Sequence, residues 1–414
     1  MNRVVEALDS TPKTDTTANR LLWVFFGAYF TFGIVLNVVG AVIPIIIQQY
    51  RLNLFSGGLL AFAFYIAFGL VSIPAGVVAD RIGAKPVVCA GLLLMLLGCA
   101  AVPLAGGFLS ITIYALMIGS GIALLQTAGN PLIERLDRPE KYHQNLTLTI
   151  GFCGVGAFAG PLCLSMLRSH NEPWQRLYIY YAVLCAILLA LMLAADFPPR
   201  ASGVEERTTL RESISLLGHP VAVTYCLAIF SYVGAEVGTA SWIVKYFQAV
   251  HHTSDVPGGH LDRVLLSVGL PTLPLLTVSL FWGLQGLGRL TSGPVIQKFG
   301  ARLILRMYAA AALGSLGLAM CGSVAVTAIG FAACGFFTSV LFTLLFSGAI
   351  STFKESRGAL SGLLITASIG GAITPPLMGL IADHVGLHVA MGVPALCFTY
   401  VLAIALIGKA QYEC

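Results

Sequence analysis

Gly76-Val-Val-Ala-Asp80-Arg81-Ile-Gly83-Ala-Lys85 and Gly293-Pro-Val-Ile-Gln297-Lys298-Phe-Gly300-Ala-Arg302 place a glycine, a polar residue, a base, a second glycine and a second base at the same spacing. Each stretch is a short polar interruption between long apolar runs. A second pair recurs at nearly the same offset, about 215–217 residues: Gly156-Ala-Phe-Ala-Gly160-Pro161-Leu162 and Gly371-Ala-Ile-Thr-Pro375-Pro376-Leu377. The chain therefore reads as two copies of one unit. In the first stretch each residue type has a use. Gly76 lets two helices approach closely, Gly83 permits a tight turn, and Asp80, Arg81 and Lys85 form a charge network able to break and remake. Gly76, Asp80, Arg81, Gly83 and Lys85 are accordingly assigned to gating.

Outward from these loops, composition sets the medium. Of 414 residues, 57% are hydrophobic and only 10% charged, against roughly 25% charged in soluble domains. Twenty-three Lys and Arg with 18 Asp and Glu are too few to cover two or three water-soluble domains. A soluble enzyme, a disordered scaffold and a nucleic-acid binder are excluded. A bilayer core of ~30 Å needs about 20 apolar residues per helix. Twelve such segments follow one another, at 21–48, 55–79, 86–103, 108–134, 144–167, 174–196, 219–248, 270–296, 303–322, 324–349, 358–382 and 387–408. The expectation is an all-α membrane protein with two pseudo-symmetric six-helix halves: a tail over 1–20, a first half over 21–197, a linker over 198–217 and a second half over 218–414.

Lys and Arg set the orientation. With the N-terminus inside, 17 fall on that side and five on the other, and Arg289 lies within a span. Both termini and the 198–217 linker are expected in the cytoplasm. The ten cysteines sit mostly in apolar runs with no CxxC or Cys/His cluster, so they read as small buried hydrophobes. No metal site, cofactor, nucleophile–base pair or phosphate loop is expected, and hence no enzyme. Duplicated six-helix halves are a common way to build a transport site at the midplane that opens to each side in turn.

The motif Gly76-x-x-x-Asp80-Arg81-x-Gly83-x-Lys85 resembles a loop motif of the major facilitator superfamily. Four further stretches narrow the likeness: Leu125-Gln126-Thr127-Ala128-Gly129-Asn130-Pro131 with Asn145-Leu146, Tyr232-Val-Gly-Ala-Glu236-Val-Gly-Thr-Ala-Ser241-Trp242, Phe281-Trp282-Gly283 with Gly288-Arg289, and Pro375-Pro376-Leu-Met-Gly379-Leu-Ile-Ala-Asp383. Together they are similar to the fucose permease family, the fucose–galactose–glucose:proton symporters, over nearly the whole chain. That resemblance implies a permease, secondary active or facilitative, working by alternating access on a neutral sugar or small sugar-like solute, in a bacterial inner membrane. It also exposes departures. The family's acidic residue four positions before a proline in helix one falls on Gly40 (counting back from Pro44), its helix-four glutamate on Gln126, and its helix-five asparagine on Gly151. Two carboxylates tied to proton coupling and substrate recognition are thus missing.

Ionisable groups deep in a span are costly and usually functional. Glu236, near the middle of helix seven with no base within a turn, is the proton-coupling candidate; the competing reading is a carboxylate holding helices together. Arg289 is assigned to gating or structure. A sugar's hydroxyls need donors and acceptors, which amides supply together. Gln126 and Asn130, four apart on helix four, share a face. With Asn37, Tyr232, Glu236, Trp242 and Gln285 they form the candidate substrate-binding set; Tyr65 and Trp282 are further aromatic candidates. The expectation is a monomer in the lipid bilayer whose partners are a small solute, a sugar by resemblance, and, if Glu236 couples transport, a proton. Two other readings stay open: an exporter of drugs or amphiphilic metabolites on the same fold, and a transporter-like receptor that binds without moving its ligand.

Overall fold

The computed structural model describes residues 15–136, 142–197, 215–253, 265, 271–353 and 357–407. The expected linker 198–217 lies outside these except for residues 215–217, and so do residues 1–14 of the expected tail. The first helix already begins at Asp15.

Twelve helical spans follow in chain order. Span 1 comprises Asp15–Asn37 and Val39–Tyr50, span 2 Leu54–Ile82, span 3 Ala84–Ala101, span 4 Phe108–Arg135, span 5 Tyr142–Ser169 and span 6 Gln175–Ala194. Span 7 is Pro220–Val250, span 8 Leu273–Phe299, span 9 Ala301–Cys321, span 10 Val324–Thr338 with Leu341–Thr352, span 11 Arg357–Ala367 with Gly370–Val385, and span 12 Leu387–Ala390 with Gly392–Ile407. Among the described residues, eleven segments are long and apolar enough to cross a bilayer. Span 8 is the exception. At 27 residues it rises about 40 Å, so length is not what it lacks; Gln285 and Arg289 lower its apolar content. Outward-facing Leu70, Leu109 and Leu396, each about two-thirds to three-quarters exposed, belong to an apolar belt of the kind a bilayer covers.

Four spans expected to be continuous are broken, span 12 at Met391 near its start. Span 1 tightens at Val38, where Ala41 N–H donates to Val38 O at 2.9 Å, six residues before Pro44. Span 11 tightens at Ser368 and Ile369, ahead of Pro375 and Pro376. A proline lacks the N–H that would satisfy the carbonyl four residues back and its ring crowds that carbonyl, so the ladder resettles on the N-terminal side. Span 10 breaks at Ser339 and Val340 without a proline.

The two halves pack by one plan. In the first, span 1 lies against spans 5 and 6, span 3 against 4 and 6, and span 2 against 4; in the second, span 7 lies against 11 and 12, span 9 against 10 and 12, and span 8 against 10. The halves meet where span 2 crosses 11, span 5 crosses 8 and span 1 crosses 7. Lipid tails are as apolar as leucine, so close van der Waals contact takes over from the hydrophobic effect in holding such helices together. Gly119 of span 4 lies on the backbone of Phe64 in span 2, and Gly335 of span 10 lies on the backbone of Phe281 in span 8. The repeat seen in the loops is thus repeated at the helix crossings.

Adding a methyl group at either crossing forces backbones apart, and overpacking of this kind costs about 1–3 kcal/mol. Gly119→Ala and Gly335→Ala should each lower the detergent melting temperature by several degrees. Gly314→Ala, where an added Cβ meets nothing within 4 Å, should leave it unchanged or raise it slightly. Equal behaviour of all three in a thermal-shift assay would count against this packing.

Candidate functional site

Glu236 lies on span 7, buried to 7% exposure, and its Oε1 is the centre of a polar cluster. Gln285 Nε2 donates to it, and Arg289 Nη2 stands 3.5 Å away. Gln285 and Arg289 are four apart on span 8, so one helix face delivers both donors. Arg289 Nε also donates to Ser339 O at 3.3 Å. The break in span 10 turns that carbonyl toward the guanidinium. Tyr232, one turn before Glu236, is buried beside the pair and faces Phe342 of span 10, 6.3 Å between ring centres. From the other half, Tyr65 of span 2 and Cys153 of span 5 come within electrostatic reach of the pair. A carboxylate, a guanidinium, an amide and two phenols therefore meet where the halves face one another. Taken together the charges cancel.

The structure brings Glu236, Tyr232, Gln285 and Arg289 together, with Tyr65, a further aromatic candidate, within reach. Asn37 and Asn130 make their hydrogen bonds within the first half. Asn37 is buried at the end of the first piece of span 1, its Nδ2 donating to Gly33 O at 2.9 Å. Asn130 accepts from the Tyr29 hydroxyl of span 1, which ties span 4 to span 1. Gln126 is half-buried one turn earlier on span 4. Trp242 is fully buried and donates through Nε1 to Pro375 O at 3.1 Å. It holds span 7 to span 11 and is not brought to the cluster.

Two of the departures from the fucose permease pattern have a packing reason. A Cβ on Gly40 would meet the Ala240 carbonyl and come 3.1 Å from Ser241 Cα. This is where span 1 crosses span 7, and a carboxylate side chain there would separate the halves. Gly151 faces Leu290 of span 8, a Cβ on it lying 3.2 Å from Leu290 Cδ2, at the crossing of spans 5 and 8.

In the loop assigned to gating, the side chain of Asp80 lies outside the described residues. Gly83 takes φ 95° and ends span 2, the left-handed region that glycine alone enters without strain. A Cβ on Gly76 would lie 3.7 Å from Thr127 Cγ2, an ordinary contact, so the close helix approach expected there is not what the glycine provides; Arg81 is exposed. Lys85 Nζ donates to Leu193 O at 2.8 Å and Ala195 O at 2.7 Å, capping the end of span 6 in its own half. The second half does the same with Arg306, which donates to Ala405 O and Leu406 O at the end of span 12. The base at the matching sequence position is Arg302; the matching task belongs to a residue one turn further on. Sequence reasoning also missed Cys153 and the Ser339 carbonyl. For Ser339 the only sign was the polar pair Thr338-Ser339 inside an otherwise apolar run.

Residues 25–364 match the Major Facilitator Superfamily. A glucose/galactose transporter of Brucella abortus (biovar 1, strain 9-941) is 28% identical over 401 residues, covering 92% of each chain. An L-fucose-proton symporter of Escherichia coli (strain K12) is 25% identical over 410 residues, covering 91% of this chain and 90% of that one. Among solved structures, the E. coli fucose:proton symporter superposes with a TM-score of 0.66 at 22% identity over 96% of this chain and all of the other. The nucleoside transporter NupG reaches 0.73 at 14% identity, over 95% of this chain and all of that one. With its family matched over most of its length and its twelve spans packed as two equivalent sixes, the chain belongs to the Major Facilitator Superfamily.

Proposed function

We propose that the protein imports a neutral monosaccharide across a bacterial inner membrane by alternating access, acting as a monomer with both termini in the cytoplasm. The halves 21–197 and 218–414 are the two rocking bodies and 198–217 is the connection between them. The observation that carries this reading is the cluster at Glu236. Its donors and acceptors suit hydroxyl groups, its phenols suit a sugar ring, and its opposed charges leave no net charge to bind an ion. Relatives named as glucose/galactose and fucose transporters support the same substrate class. The excess of basic residues on the side of the termini supports the orientation.

We assign proton coupling to Glu236. Arg289 sits at 3.5 Å from one carboxylate oxygen and has a second acceptor in Ser339 O. The guanidinium therefore keeps the carbonyl as a partner when Glu236 takes a proton. Removing one partner of a buried pair leaves the other uncompensated, so the two side chains must change state together. Gln126, the amide where the family carries a carboxylate, is assigned to the sugar; Asn37 and Asn130, both engaged within the first half, are assigned to shaping its wall.

Uptake of labelled fucose, galactose, glucose and N-acetylglucosamine into proteoliposomes, with glucuronate as the charged comparison, tests the substrate class. At least one neutral sugar should enter and glucuronate should not. Absence of flux for every sugar, with flux of amphiphilic cations in its place, would select the exporter reading. For coupling, Glu236→Gln should abolish concentrative uptake and leave sugar exchange largely intact. Undiminished pH-driven accumulation in that variant would remove Glu236 from the role. Arg289→Gln should reduce transport at least tenfold, and Glu236→Gln with Arg289→Gln should recover exchange relative to Arg289→Gln alone; purely additive losses would show that the two are not coupled.

A further inference from the structure

The turn between spans 11 and 12 reads Gly379-Leu-Ile-Ala-Asp383-His384-Val-Gly386-Leu-His388. Glycine, acid, imidazole, glycine and imidazole stand at the spacing of Gly76, Asp80, Arg81, Gly83 and Lys85. The backbone repeats as well. Gly83 has φ 95° and ψ 163°, Gly300 φ 80° and ψ 144°, and Gly386 φ 91° and ψ 156°. In each case the glycine N–H donates to the carbonyl four residues back. The first two turns lie at the end of the bundle that carries the termini; the third lies at the opposite end.

There the acidic residue of the third turn reaches across the molecule. Asp383 Oδ1 accepts from Leu54 N–H at 2.8 Å and Oδ2 from Phe55 N–H at 2.9 Å. Leu54 and Phe55 open span 2, which belongs to the other half. The first N–H groups of a helix have no partner within it, and the positive end of the helix dipole favours a carboxylate. Asn53 supplies the local cap, its side chain accepting from Ser56 N–H at 2.9 Å. The start of span 2 is thus capped once by its own half and twice by the other. Close backbone approach makes the reach possible, since a Cβ on Gly58 would stand 2.5 Å from Pro376 Cα. His384 Nδ1 pairs with Leu380 O, 2.9 Å, and leaves the carboxylate to span 2. His388 pairs with the Tyr246 hydroxyl of span 7 at 2.9 Å, which fixes the turn to its own half.

We propose that Asp383 is a latch between the halves, closing the end of the bundle opposite the termini and releasing when the central site opens there. Both hydrogen bonds lie at the exposed edge of the seam, where water replaces them on opening. The bond is therefore strong enough to bias the equilibrium and weak enough to break in every cycle. An N-cap is worth about 1 kcal/mol, or about fivefold in the ratio of closed to open.

The test is a spin–spin distance measurement on the full chain in nanodiscs. Labels are placed at Cys321, exposed at the end of span 9, and at Glu172→Cys in the turn between spans 5 and 6, with the other cysteines replaced. These positions lie at the latched end, one in each half. Asp383→Ala should move the population toward the longer distance about fivefold, and Asp383→Asn should do so to a smaller extent. Asn53→Ala, which removes a cap of span 2 that does not cross between halves, should leave the distribution in place. An unchanged distribution in folded Asp383→Asn, or an equal shift in Asn53→Ala, would overturn the latch, the second by showing that fraying of span 2 is the cause. Neither outcome depends on which solute is carried.

Discussion

Helices in a hydrocarbon medium are held by contact, and contact at a crossing depends on what the backbones allow. Much of this architecture follows from that constraint. Where Gly119 meets Phe64 and Gly335 meets Phe281, each half gains a rigid scaffold at an equivalent place. Where Gly40 meets Ala240 and Gly58 meets Pro376, the two scaffolds close on one another at one end. Glycine at these crossings also keeps the seams between halves free of interlocking side chains, so that two rigid bodies can separate and re-form.

Within that frame the polar groups divide by cost. Several polar groups are satisfied within their own half: Asn37 on Gly33, Lys85 on the end of span 6, Arg306 on the end of span 12. The groups proposed to carry transport meet between the halves. Glu236 shares one oxygen between an amide and a guanidinium, and the guanidinium also donates to a second acceptor, Ser339 O. Burial makes an unpaired charge here expensive, so a change in one member must be answered by another. On the proposed reading, a proton taken up by Glu236 is answered by Arg289 and through it by the helices that carry the pair. Gly40, where the fucose permease resemblance implies a carboxylate, is a helix crossing in this chain.

The sequence made the fold legible because both of its signals are long-ranged. Twelve apolar runs state the medium, and a repeat at a fixed offset states the symmetry. Glu236 and Arg289 were legible as well, since a charge inside an apolar run stands out whatever its neighbours. Their pairing was not, because it joins spans 7 and 8 through side-chain geometry. Trp242 shows the converse: its residue type suits a sugar ring, yet its indole N–H is spent on Pro375 O. The break in span 10 had no proline to announce it, and the double cap by Asp383 joins residues 329 apart in sequence. Such contacts belong to tertiary structure alone.

The central claim is that a neutral sugar and a proton move together through the Glu236 cluster. Electrical recording from proteoliposomes on a solid support tests it directly, because a neutral solute carries no current of its own. Adding the transported sugar should produce an inward positive current in the wild-type protein and none in Glu236→Gln. Sugar flux without current in the wild type would contradict the account, leaving Glu236 and Arg289 as a structural pair in a facilitated-diffusion carrier.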